Sequence, residues 1–119
     1  MVSYMLPSVV IEVREYLDQN GHSPFATWSD RLNREGAAKA AAAALARMQQ
    51  GNLSKAKSVG VGVHEYRIDF GPGYRIYFGK DGDRLVVLVG GGTKKRQQDD
   101  INTALSRWRD YKLRKAAGE

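Results

Sequence analysis

The spacing of apolar positions changes period several times along the chain. From Val9 to Val13, the apolar Val9, Ile11 and Val13 alternate with Val10 and Glu12, the period of a strand with one buried face, and predict a first strand. In "NGHSPFATWSDRLNREG" the period lengthens: Phe25, Trp28 and Leu32 fall on one helical face, with Ser23 placed to cap and Pro24 in the first turn. Gly36 is expected to interrupt this pattern. "AAKAAAAALARMQQGN" then resumes it as an alanine-rich helix ended by Gly51 and Asn52. Two helices joined so tightly predict an antiparallel hairpin.

From "GVGVHEYRIDF" onward the period is two, with Tyr66, Ile68 and Phe70 on one face and Glu65, Arg67 and Asp69 on the other. "GPG" at 71–73 is a turn by composition, and "YRIYF" continues with Tyr74, Ile76 and Phe78 on the apolar side, leaving Arg75 and Tyr77 opposite. Asp81-Gly82 signals a tight hairpin. "RLVVLVGGG" is apolar on both faces, as a central strand is, and the glycines at 90–92 are expected to let it bend away into "TKKRQQDD". A last helix carries Ile101, Ala104, Leu105 and Trp108 as its buried stripe. The predicted architecture is one α+β domain over residues 1–119, an antiparallel-rich sheet of about four strands in the order β-α-α-β-β-β-α. Its helices would pack on one sheet face.

Composition agrees with a single domain: 119 residues can bury one core but not two, and 42% hydrophobic residues argue against disorder. The 19 Lys and Arg against 13 Asp and Glu leave a formal charge of +6, which favours phosphate-rich or acidic partners. The chain has no cysteine, so disulfides, thiolate metal sites and thiol nucleophiles are excluded. The apolar N-terminus lacks a basic leader and meets "EVREYLDQ" before reaching a spanning length, so a cytoplasmic chain with no membrane association is expected.

If the helices cover the Tyr66 and Ile76 face, the other face presents Glu65, Arg67, Arg75 and Tyr77. Two arginines there fit an ordinary solvated sheet surface as well as a site. The adjacent Lys94, Lys95 and Arg96 favour the site, because they leave the central strand near one end of the same face. A fixed guanidinium suits a phosphorane whose oxygens gather negative charge while a 2′-hydroxyl attacks its neighbouring phosphate. His22 and His64 fall at a helix start and on the core side, positions more usual for structural histidines than for acid–base catalysts. Glu65 or Tyr77 remains as base and a lysine as acid, given neighbours that shift their pKa values. "GVGVHE" lacks dinucleotide-binding spacing and "DGD" at 81–83 is too short for a calcium loop, so no cofactor or metal is expected.

"SPFATWSDRL", "GNLSKAKSVGVGVHEYRIDFGPGYRIYFGKDGDRLVVLVGGGTKKRQQDDI" and the closing A-x-x-x-W helix together resemble the RelE/ParE toxin superfamily, in its HigB-like addiction module killer branch. The resemblance runs from about Val9 to Tyr111. It implies a toxin of a type II toxin–antitoxin pair that enters the ribosome and cuts mRNA with cations on a sheet face. Arg75 matches the family's phosphate-stabilising arginine, Arg67 falls near a family lysine, and Lys94 or Lys95 falls where a second basic residue follows the central strand. Lys57, Lys95 and Arg96 would then contact RNA.

Two positions depart from the family pattern. Glu65 stands where a lysine is expected, and "QQDDI" lacks the tyrosine or histidine that often stacks or moves a proton. The leading expectation is a ribosome-dependent endoribonuclease neutralised by an antitoxin, a small helix-turn-helix protein whose acidic segment covers the Arg67 and Arg75 face. Two alternatives stand beside it: a ParE-like inhibitor of gyrase, and an inactive relative that acts with its antitoxin as a co-repressor.

Overall fold

A computed structural model of the chain describes residues 10–32 and 35–118. In chain order the elements are β1 (Glu12–Glu15), α1 (Pro24–Asp30), α2 (Glu35–Gln49), β2 (Ala56–Gly60), β3 (Val63–Ile68), β4 (Tyr74–Asp81), β5 (Leu85–Thr93), a 3-10 turn (Lys94–Arg96) and α3 (Gln97–Ala116). They form a mixed α+β fold around one five-stranded sheet in the order β1-β5-β4-β3-β2. β1 runs parallel to β5, and every other pairing is antiparallel. The expected count of about four strands is corrected by β2. Its "AKSVG" has no apolar alternation to announce it, and it forms because β3 offers an edge on which Lys57 pairs Glu65.

The first strand also begins later than its pattern implied. Val9 lies outside the described residues, Val10 is exposed and Ile11 is buried, while the ladder with β5 starts at Glu12 opposite Leu85. α1 starts as expected: the Ala26 N–H donates to Ser23 Oγ at 3.0 Å, with Pro24 at the first position. It stops at Asp30, so Leu32 packs on the core from beyond the helix. Gly36 lies inside α2 rather than breaking the helix. A β-carbon there would come within 2.5 Å of the Phe70 ring, so the glycine admits an aromatic neighbour. In place of a hairpin seam, the main contacts of α1 run to β5 and those of α2 to β1 and β3.

Helices cover both faces of the sheet, which corrects the one-sided packing that the sequence implied. Phe25 of α1 and Ala41, Ala44 and Met48 of α2 pack with Tyr66, Ile68, Ile76, Phe78, Val86 and Leu88 on one face. On the other, Ala104 and Trp108 of α3 pack with Val63, Tyr77, Val87 and Val89. This second core depends on missing side chains, because a β-carbon at Gly79 would overlap the Trp108 indole. A related reason keeps Gly90–Gly92 inside β5 rather than in a bend. Gly91 lies under Trp28, and Gly92 under the Asp100 carboxylate. A bulge opposite Tyr77 and Phe78 inserts Val89 between the paired Leu88 and Gly90 and restores the alternation beyond it.

Candidate functional site

Strand register places the polar cluster on the α3 side of the sheet. Arg67 lies directly opposite Arg75, Glu65 opposite Tyr77, and Lys57 opposite Glu65. The shared face is as the alternation predicts, but its exposure is not. Only Arg67 and Lys57 are exposed, whereas Arg75 is 5% accessible, Glu65 1% and Tyr77 1%. The reason is α3, which packs Ala104 and Trp108 in one core with Tyr77 and sets Gln97 on Glu65, while Arg75 is buried against Glu65.

Glu65 is the centre of the cluster. Its Oε2 accepts from the Tyr77 hydroxyl at 3.1 Å and from Gln97 Nε2 at 2.8 Å. Its Oε1 faces Arg75 Nε at 3.5 Å and Lys57 Nζ at 3.7 Å, both longer than a well-made charge-assisted hydrogen bond. Arg75 lies along its own strand, and its Nη1 donates to Gly73 O at 2.6 Å. Its Nε is buried and has no hydrogen-bond partner. Burial, and after it the Glu65 charge, push the Tyr77 hydroxyl well above its ordinary value. Tyr77 is therefore held as a neutral donor to Glu65.

The remaining cations fall into separate groups. A cleft of about 410 Å³ is lined by Lys55, Lys57, Glu65, Arg67, Asp69 and Ser54, and Arg75 is set behind Glu65 from it. Arg67 also lies 3.6 Å from Asp69. Arg96 instead lines a second cleft of about 450 Å³, between α1, the glycine stretch of β5 and α3, with Trp28, Arg31, Tyr77, Asp100 and Arg107. Lys94 and Lys95 stand exposed on the 3-10 turn and line neither cleft. The expected convergence of cations on one concavity is thus corrected to two clefts separated by the Glu65–Tyr77–Gln97 contacts.

Sequence reasoning missed Gln97, Arg107 and Asp100. Arg107 Nη1 donates to Val89 O at 2.8 Å, and burial lowers its pKa. Burial raises the Asp100 carboxyl, an effect that Arg96 partly opposes. These residues carry no strand or heptad signal, and only the docking of α3 on the glycines of β5 brings them to the sheet. The two histidine side chains make no hydrogen bond to Glu65 or Arg75. His22, exposed before α1, lines the second cleft with Tyr77 and Arg96, and His64 packs its ring 5.4 Å from Phe78, with burial and then Lys80 lowering its pKa. Among the described residues no group of three or more His, Cys, Asp or Glu is placed to hold a metal, and no helix is long and apolar enough to cross a membrane.

No family model matches the chain. Over 80 residues it is 40% identical to a Haemophilus influenzae protein described as uncharacterized, a match that covers 67% of this chain and 81% of that protein.

Proposed function

We propose that this chain, which belongs to the same family as the Haemophilus influenzae protein, is the toxin of a type II toxin–antitoxin pair and a ribosome-dependent mRNA endoribonuclease. The observation that carries this reading is the cross-strand pair Arg67 and Arg75, directly opposite on one sheet face and bordered by a cleft with Lys55 and Lys57 on its walls. Cations so arranged suit a ribonucleotide backbone, and a guanidinium held by the sheet suits the charge that develops on a cyclising phosphate. The element order, with a strand and two helices before the meander and one long helix after it, supports a RelE-like fold. Arg67, Arg75, Lys94 or Lys95, and Glu65 or Tyr77 are the proposed catalytic set, with Lys57, Lys95 and Arg96 on the RNA.

A second reading has its own support. Arg75 is buried against Glu65, and the raised Tyr77 pKa opposes a role as base, which fits a toxin that inhibits gyrase by binding without cutting. Inducing the chain alone in a bacterial host separates the two. Primer extension is expected to find new 5′ ends inside translated messages, and Arg67→Ala, at an exposed position with little effect on folding, is expected to reduce the cuts at least tenfold. Intact messages with broken DNA would establish the gyrase reading instead. Harmless induction of a folded, expressed chain would leave the co-repressor.

A further inference from the structure

Glu65 lines the open cleft and also faces the guanidinium of the buried arginine. It lines the cleft that holds Lys57 and Arg67, while Arg75 sits behind it. We infer that Glu65 is a built-in counter-anion, whose carboxylate holds the Arg75 guanidinium until a phosphate of a polyanionic ligand in the cleft takes its place. The inference rests on the reading of this face as a phosphate-binding surface.

Three features of the geometry carry it. The pair is incomplete: Arg75 Nε stands 3.5 Å from Glu65 Oε1 and makes no hydrogen bond, so a buried donor is left for a better-placed acceptor. The carboxylate is pinned through its other oxygen by two side chains, Tyr77 and Gln97, whereas the guanidinium is held at one end, by Nη1 on the Gly73 carbonyl, so a turn of the arginine has one hydrogen bond to exchange. When it turns, Glu65 keeps a cation, because Lys57 already stands 3.7 Å from the same Oε1. The arrangement selects by charge. A single weak anion cannot displace Glu65, whereas a ligand with several phosphates also engages Arg67 and Lys57 along the cleft.

The test uses the full chain with two probes, inorganic pyrophosphate and a single-stranded oligoribonucleotide, and follows the arginine Nε–H signals by ¹⁵N NMR. The Arg75 signal is assigned by its loss in Arg75→Lys. Both probes are expected to shift the Arg75 signal together with that of Arg67. Glu65→Gln keeps an oxygen for Tyr77 and Gln97 and is expected to bind both probes roughly fivefold tighter, the scale of one removed charge at close range. That gain should vanish in the Arg75→Lys background and be absent in Glu12→Gln on the far edge of the sheet. Probes that shift Arg67 and leave Arg75 unmoved would overturn the role of Glu65 while keeping the phosphate-binding face, as would a Glu65→Gln gain that persists without Arg75. Response to pyrophosphate alone would uphold the counter-anion and remove the nucleic-acid reading. Silence toward both probes would remove both.

Discussion

Val61 holds a backbone conformation that its side chain resists. It sits at φ 43° in the hairpin between β2 and β3, flanked by Gly60 and Gly62, with 77% of its surface exposed. A β-branched residue in the left-handed region is strained, and here no packing offsets the strain. Replacing Val61 with Asn, which tolerates that region, should raise stability by about 1 kcal/mol, read as a higher urea midpoint at unchanged slope. An unchanged midpoint would mean that the turn relaxes without loss. The hairpin itself was not legible in the sequence, because "GVGVHE" reads as the lead-in to one strand. By contrast, the side of the sheet taken by Arg75 was legible from alternation, and its burial was not. Alternation says which side chains share a face, and it says nothing of what lies over that face.

At the scale of the element, α3 is tied down at its C-terminal half by two acid-centred contacts. Asp110 accepts from Tyr16 of the segment after β1 at 2.6 Å and from Arg114 at 3.0 Å, and Arg114 also reaches the Leu17 carbonyl. Asp81, at the end of β4, accepts from Tyr111 at 2.8 Å and from Lys115 at 2.5 Å. The Lys115 bond, followed by the Tyr111 bond, lowers the Asp81 pKa from its ordinary 3.8, while burial and then the Asp81 bond push Tyr111 up to about 12. A carboxyl whose folded pKa is depressed stabilises the fold above its unfolded pKa, and that contribution disappears as pH falls through the folded value. Asp81→Asn should therefore lower the melting temperature at pH 7 and converge toward the wild-type value as the pH is taken down past the ordinary 3.8 and through the depressed folded value, in thermal scans across that range. Parallel curves at all pH values would show that the contact carries no pH-linked stability. The apolar stripe of α3 was readable from its helical spacing, and Ala104 and Trp108 are indeed buried. Its polar attachments join residues more than 25 positions apart in sequence, where no local pattern reaches.

For the whole molecule, the decisive feature is that helices close the sheet from both sides. Trp108 fills the second face against Gly79 and Gly62, and its ring stacks on Tyr111 at 5.1 Å. Trp108→Ala should cost about 3–5 kcal/mol, a large share of the stability of a domain this size, and should release α3 from the sheet. Urea denaturation followed by far-ultraviolet circular dichroism is expected to show a much lower midpoint; a midpoint near wild type would place α3 outside the cooperative unit. By itself the sequence determined the mixed α+β class, the capped start of α1, the alanine helix, the meander of β3 to β5, the final helix, and the common face of Glu65, Arg67, Arg75 and Tyr77. All of these follow from local periods, turn residues and caps, which act within a few positions along the chain. The tertiary structure alone decided the β2 edge, the parallel seat of β1 on β5, the glycine floor beneath Trp28, Asp100 and Trp108, and the burial of Arg75 behind Glu65. Those depend on which surfaces meet, and α3 meets the sheet only because the glycines of β4 and β5 leave room for it.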